Sequence, residues 1–280
     1  MEYFEINLKE HYPFLGEDGK NPLLQCYLPA EFNNYEYPND YRKTVVICPG
    51  GAYRFTSDRE AEPVALFFLK KRYNVFVLRY SVAPHRFPSQ ILECAATFDL
   101  LYKNKEKWHI DTNHIAIMGF SAGGHLAAHY ANRSQCDEIK KYFKTPHSPT
   151  AQILCYPVIS ADPTIYHEES FYNLTGVKPD GFSHKDYSCE YMVTSKTPRT
   201  FIMHTDRDTV VPVENSYVYA LALKKHNVLC EMHIYPCCDH GISLSNNVSY
   251  NDSDYNSFKD DFDYAANWTS ELDRWLERFF

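Results

Sequence analysis

No stretch of the 280-residue chain approaches eighteen consecutive apolar residues, so the sequence offers no helix of the length and polarity that crosses a bilayer. The amino-terminal MEYFEINLKEHYPFLGEDGK lacks the uninterrupted apolar core of a secretory signal, being broken by glutamates and lysines, and the expectation is a cytoplasmic protein with no membrane partner. No lysine/arginine stripe stands out among 28 basic and 36 acidic residues; with a net charge of -8 the chain has little to offer a nucleic-acid backbone. The nine cysteines lack both metal-ligand and redox spacing. Cys48, Cys94 and Cys155 lie in apolar runs and read as reduced core thiols, and the adjacent Cys237-Cys238 is neither a CxxC pair nor a zinc half-site. No metal and no cofactor is therefore expected. A Pro/Gly/Ser-rich linker is also missing, which favours a single domain over residues 1–280.

Tyrosine is abundant, at 23 residues. Its ring stacks and its hydroxyl hydrogen-bonds without charge, which suits neutral polar ligands such as sugars as well as ordinary packing.

Two edge strands are expected in the lead-in, near Phe4 to Leu8 and Leu23 to Tyr27, followed by a polar loop from Glu31 to Lys43. Val45 to Cys48 and Asn74 to Tyr80 are buried-strand runs separated by helical spacing from Glu60 to Lys71, and a helix follows from about Ser89 to Lys103. That rhythm is the βαβ pattern of an open parallel sheet. A polar, hairpin-like region is expected around Arg133 to Pro149. Further strands follow at Ala151 to Tyr156, Thr200 to His204 and Cys230 to Tyr235, and an amphipathic helix closes the chain between Tyr264 and Phe280. Ser160 to Arg199 is too long for an ordinary loop, and its place after a strand makes it a cap-like insertion or a wall of the substrate site.

The most informative stretch is IAIMGFSAGGHLAAHYA, Ile115 to Ala131, an apolar strand turning through Gly119-Phe120-Ser121-Ala122-Gly123 into a helix. A serine on so tight a turn is held in a strained backbone conformation that lifts its hydroxyl above the sheet edge, with the first helix amides facing an anion: a nucleophile elbow. Such a serine needs a base. His240 follows the last strand and is freed by Gly241, whereas His125 and His129 lie on the elbow helix and read as packing or helix-surface residues. The orienting acid comes from Asp208, Asp206 or Asp239. Asp208 is preferred because Pro212 and the next helix fix the backbone after it, while Asp239 is too close in sequence to reach the far ring nitrogen. Gly51 and Ala52, in the turn after Cys48, together with Ala122, are the candidate amide donors to an oxyanion. Tyr53 and His85 are candidates for the substrate pocket, although a solvated role for His85 is the simpler reading.

CPGGAY (Cys48 to Tyr53), RYSVAPHRFP (Arg79 to Pro88), HIAIMGFSAGGHLAAH (His114 to His129), LCYPVIS (Leu154 to Ser160), HTDRDTVVPVENS (His204 to Ser216) and His240-Gly241 together resemble the acetyl-xylan-esterase-like branch of the α/β-hydrolases. That branch is related to the hormone-sensitive-lipase-like esterases. The resemblance runs from about Thr44 onward. It implies a central, mostly parallel eight-stranded sheet flanked by helices, a small or absent cap, Ser121/Asp208/His240 as the triad, and cofactor-free hydrolysis of short acyl esters. The implied partner is a small-molecule or oligosaccharide ester, often an acetylated sugar. Pro49 and Ala52 stand where the lipase-like relatives have the first and last residues of His-Gly-Gly-Gly, so the oxyanion turn has its own shape. Glycosidic cleavage, which needs two carboxylates facing across a cleft, is not implied. Three other readings stay open: a general carboxylesterase, an amide hydrolase such as an arylformamidase or peptidase, and a non-catalytic binding module on the same scaffold.

Overall fold

Val45, Val46, Ile47 and Cys48 are all fully buried, as a strand covered by helices on both faces must be. The computed structural model describes residues 1–15, 22–31, 40–178 and 184–280, and among these eight strands form one sheet. They are β1 (Glu2–Asn7), β2 (Leu23–Leu28), β3 (Arg42–Cys48), β4 (Asn74–Arg79), β5 (Ile110–Phe120), β6 (Ala151–Cys155), β7 (Arg199–Thr205) and β8 (Cys230–Tyr235). Their order is β1-β2-β4-β3-β5-β6-β7-β8. All neighbours from β4 to β8 run parallel, while β1–β2 and β2–β4 are antiparallel.

This order creates the site. From β3 the chain crosses to β4 on one side and then returns to place β5 on the other, so the ends of β3 and β5 flank the point where winding reverses. Loops leaving such neighbouring ends diverge and open a crevice. The register sets Cys48 opposite Gly119. The turn after β3 and the elbow after β5 therefore begin at the same height.

The helices that bear on the site are α1 (Glu62–Leu69), α2 (Ser89–Lys103), α3 (Ser121–Arg133), α4 (Glu168–Thr175), α5 (Glu214–Lys225) and α6 (Trp268–Phe279). Alternation along β3 sends Val46 and Cys48 into a core shared with α2, α3 and α5, and Val45 and Ile47 into a second core under α1 and α6. In the second core Trp268 and Trp275 are fully buried beside Leu272 and Leu276. At roughly 200 Å² each, the two indoles contribute about 5 kcal/mol apiece of apolar burial.

Three expectations are corrected. The second lead-in strand is not an edge: β2 lies between β1 and β4, and its Leu24, Cys26 and Leu28 are buried. The region after Arg133 forms a short helix, Asp137–Lys140, in place of a hairpin, with Asp137 and Glu138 in its first turn, where carboxylates suit the free amides. The strand before the elbow begins at Ile110, five residues earlier than its apolar run, because Arg42 pairs with Ile110 across a register shift. The Glu31–Lys43 loop falls largely outside the described residues, as does the 179–183 part of the Ser160–Arg199 segment. Among the described residues no helix is long and apolar enough to cross a membrane.

Candidate active site

Ser121 starts α3 with φ of 52°, a region that a residue bearing a Cβ occupies only when its surroundings hold it there. The approach of β3 supplies part of that hold: a Cβ on Gly123 would stand 2.1 Å from the Cys48 carbonyl oxygen and 2.4 Å from that of Pro49. Only glycine lets the elbow helix come this close.

His240 arrives from the loop after β8 and Asp208 from the loop after β7. The Ser121 hydroxyl lies 2.8 Å from Nε2 of His240, and Nδ1 of the same ring is 2.6 Å from Oδ2 of Asp208. With Asp208 accepting from Nδ1–H, Nε2 is left as the acceptor for the serine proton. The Asp208 side chain is wholly buried. Burial pushes its carboxyl up, but hydrogen bonds from His204 and His240, the charge of His240 and the Val211 amide outweigh this and hold it well below the usual carboxylate range. The acid stays ionised behind the imidazole.

The structure adds partners that the sequence reading did not assign. His204 at the end of β7 places Nε2 3.2 Å from Asp208 Oδ2 and 3.0 Å from the Val211 carbonyl, while Ser216 meets its Nδ1 at 2.8 Å. The amides of Val210 and Val211 donate to Asp208 Oδ1 at 2.9 and 2.7 Å. Asp239, passed over as the orienting acid, accepts from the amides of Thr209 and His240, 2.8 Å each, and so joins the acid loop to the base loop. Asp206 is exposed. The i, i+4 spacing of His204 and Asp208 was visible in the sequence, but only the end of β7 makes the two meet. Nothing in the sequence marked Asp239 as a strut.

The candidate oxyanion donors lie at the same crevice. Gly51, Ala52 and Tyr53 have φ values of 128°, 54° and 54°, a succession that coils the turn after β3. Among the described residues the amides of Gly51 and Ala52 donate to no protein group. The Ala122 amide, in the first turn of α3, has no carbonyl within its helix to bond. The turn touches Ser121, since a Cβ on Gly50 would come 2.9 Å from Ser121 Cβ.

The pocket expectation changes at Tyr53. Its side chain is 1% exposed, and its hydroxyl lies 2.9 Å from Nδ1 of His125, so it belongs to the core and presents nothing to a substrate. His125 is fully buried, and burial draws its pKa down to about 4, against the opposing bond to the Tyr187 carbonyl. His129 stacks on Phe87, ring centroids 5.4 Å apart. Both helix histidines are packing residues, as expected. His85 is partly buried, and its backbone is anchored by Val82 and the Gln90 side chain.

From the Ser160–Arg199 segment, α4 reaches the site: Asn173 donates to the Ala52 carbonyl at 2.8 Å, and the Phe87 amide donates to Leu174. His167, just before α4, feels burial first and then the charge of His240, both of which lower its pKa. A cavity of about 190 Å³ opens beside His240, walled by Arg59, Tyr250, Phe258 and Phe262. A larger cleft of about 660 Å³ lies against Tyr3, Tyr27 and Arg79, without a triad residue in its wall. Among the described residues one trio, Glu231, His233 and Glu271, could share a cation; it joins β8 to α6.

A family model described as the alpha/beta hydrolase fold matches residues 45–244, the span holding the elbow, Asp208 and His240. The chain belongs to the α/β-hydrolase family. It is 33% identical over 230 residues to an endo-1,4-beta-xylanase B of Butyrivibrio fibrisolvens, covering 79% of this chain and 35% of the relative. It is 30% identical over 247 residues to an acetylxylan esterase of Xylanibacter ruminicola, covering 85% of this chain and 47% of the relative. The chain thus spans less than half of each of these curated relatives. Among solved structures, an acetyl ester-xyloside bifunctional hydrolase from Caldicellulosiruptor lactoaceticus superposes with a TM-score of 0.78 at 32% identity, covering 96% of both chains. The resemblance read from the motifs and the α/β-hydrolase fold with its mostly parallel eight-stranded sheet both hold.

Proposed function

We propose that this α/β-hydrolase is a serine esterase that removes short acyl groups, acetyl above all, from sugars such as xylo-oligosaccharides. The observation that carries the reading is the unbroken line from Ser121 Oγ through His240 to Asp208, at 2.8 and 2.6 Å, beside unpartnered amides. Ser121 Oγ attacks the acyl carbon while Nε2 of His240 takes its proton. The carbonyl electron pair moves onto oxygen and rests against the amides of Ala122, Gly51 and Ala52, each donor of this kind being worth about 2.7–4 kcal/mol in hydrolases. Collapse of the tetrahedral intermediate expels the alcohol, protonated by His240, and leaves an acyl-serine. Water, deprotonated by His240, repeats the cycle and frees the acid.

The sugar preference draws on the two relatives whose names include acetylxylan or acetyl ester-xyloside, and on the tyrosine-rich composition. The xylanase name belongs to a protein of which this chain matches 35%, and the serine line has no use in glycosidic cleavage. We read residues 1–280 as one domain, with 160–199 as a wall of the substrate site and not a separate cap. The second reading, a carboxylesterase for simple esters, is favoured by the ring-walled cavity beside His240, which suits a small apolar alcohol.

A panel of acetylated xylo-oligosaccharides, acetylated monosaccharides and p-nitrophenyl esters of increasing acyl length separates them. The sugar reading expects kcat/KM at least about tenfold higher on the sugar acetates than on p-nitrophenyl acetate corrected for its leaving group. A rate that rises with acyl length and ignores the sugar assigns the chain to the carboxylesterases.

A further inference from the structure

Glu60 is 4% exposed, at the end of the single turn Asp58–Glu60 that precedes α1. It is no part of the triad, yet two edges of the site meet on it. Its Oε2 accepts the Gly50 amide at 2.7 Å, one residue before the oxyanion turn. Its Oε1 accepts the Tyr156 hydroxyl at 2.8 Å. The Tyr156 oxygen in turn accepts the Ser243 amide at 2.8 Å, three residues past His240, and the Tyr156 ring stands edge-on to the imidazole with centroids 5.0 Å apart. The path Gly50, Glu60, Tyr156, Ser243 therefore runs under the site from the oxyanion turn to the base loop.

A glutamine could reach the same two groups without a buried charge, accepting from Gly50 and donating to the Tyr156 oxygen, so the carboxylate needs its own account. Tyr80, Cys155, Tyr156 and Tyr250 all face Glu60, and burial keeps each of them protonated and neutral. The cations that act on it are His240 and its neighbour Arg59. Burial pushes the Glu60 carboxyl up, and the bonds from Tyr156 and Gly50 together with those two charges offset only part of this, so it stays above the usual carboxylate range. A negative charge here is strongest in its effect when His240 carries a proton, which happens at each transfer to and from Ser121.

We propose that Glu60 is a positioning residue of the hydrolytic site: it holds the oxyanion turn and the His240 loop in one frame, and its carboxylate faces the imidazolium formed during turnover. The proposal rests on the reading of Ser121 as nucleophile and His240 as base.

Glu60→Gln tests it, because the amide oxygen can still accept from Gly50 and the amide nitrogen can donate to the Tyr156 oxygen, which keeps both contacts and removes the charge, at the cost of the acceptor for the Tyr156 hydroxyl proton. The readouts are the melting temperature, kcat and KM on p-nitrophenyl acetate, and the pH profile of kcat/KM. Without the carboxylate the protonated form of the base loses a stabilising charge, so the acid limb of the kcat/KM profile is expected to move to lower pH. We expect kcat to fall about tenfold with KM little changed, as for an interaction made in the transition state. A folded Glu60→Gln enzyme with wild-type kcat and an unmoved acid limb overturns the proposal, whatever its melting temperature. Should Glu60→Gln fail to fold, Tyr156→Phe cuts the same path: a loss of kcat at constant KM supports the proposal, and an unchanged kcat overturns it. Turnover by the wild-type enzyme and its labelling by a serine-directed phosphonate run alongside. Their absence removes the serine reading itself, whereas their presence with an indifferent Glu60→Gln removes only the role of Glu60.

Discussion

Asp208 has every oxygen lone pair facing a donor: His240 and His204 on Oδ2, the amides of Val210 and Val211 on Oδ1. A carboxylate held in this way is an orienting group that does not itself take the proton. Because its folded pKa is depressed, the stability it contributes is present above the ordinary carboxylate range and is lost as pH falls through that range and below it. Glu93, on α2, behaves in the opposite sense. Fully encased and holding the Ser81 amide at 2.8 Å, its carboxyl is pushed by burial from 4.5 to about 7, against the Ser81 bonds. The folded chain then keeps a proton that the unfolded chain releases, so this stability is complete below pH 4.5 and is lost as pH rises through 7. The difference is on the order of 3 kcal/mol. Glu93→Gln, which still accepts from Ser81 and carries no charge, should match the wild type at pH 5 and melt several degrees higher at pH 8. An equal difference at both pH values would show that Glu93 is not protonated in the fold. At this scale the sequence disclosed Ser121, His240 and Asp208, which the fold brings together, because their types are rare in such settings and the turns around them are rigid. It hid Glu60, His204 and Asp239, whose importance depends on neighbours brought from 30 or more positions away or on the end of a buried strand.

The elbow owes its shape to β3 as much as to itself. With Cys48 in register with Gly119, the strand ends set the oxyanion turn and Ser121 at one level, and α3 must then pass directly over the carbonyls of Cys48 and Pro49. Gly123→Ala forces a methyl group into that contact. Overpacking of this kind costs roughly 1–3 kcal/mol when side chains can yield, and here the obstructing atoms are backbone. We expect a fall in melting temperature and a larger fall in kcat than in kcat at Gly124→Ala, where the added methyl would instead meet the Pro157 ring. Wild-type kcat in Gly123→Ala would mean that the spacing of the two turns is not critical. Element identity was legible from periodicity along most of the parallel half, as α2 shows by occupying the expected Ser89–Lys103. The region after Arg133 was not, since a polar stretch with turn residues reads equally as hairpin or short helix, and packing decides.

Across the whole molecule, the parallel strands announced themselves as apolar runs, and both antiparallel strands were expected as well, but the place of β2 between β1 and β4 was not. β2 carries Gln25 and Tyr27 among its apolar residues, and its place inside the sheet depends on pairing with β4 some fifty residues later. Long-range pairing of this kind has no local signature. The same limit applied to α4, whose Asn173 secures Ala52 from 121 residues away. What these distant contacts assemble at the winding reversal of the sheet is Ser121 beside His240 and Asp208, which we propose as nucleophile, base and acid, with the amides of Gly51, Ala52 and Ala122 close by. Stoichiometric reaction with a fluorophosphonate, read by intact mass and peptide mapping, addresses that assembly directly. One adduct per chain on Ser121, with loss of ester turnover and no labelling of a folded Ser121→Ala variant, is the predicted result. An unlabelled Ser121, or a Ser121→Ala variant that hydrolyses p-nitrophenyl acetate as fast as the wild type, would contradict it.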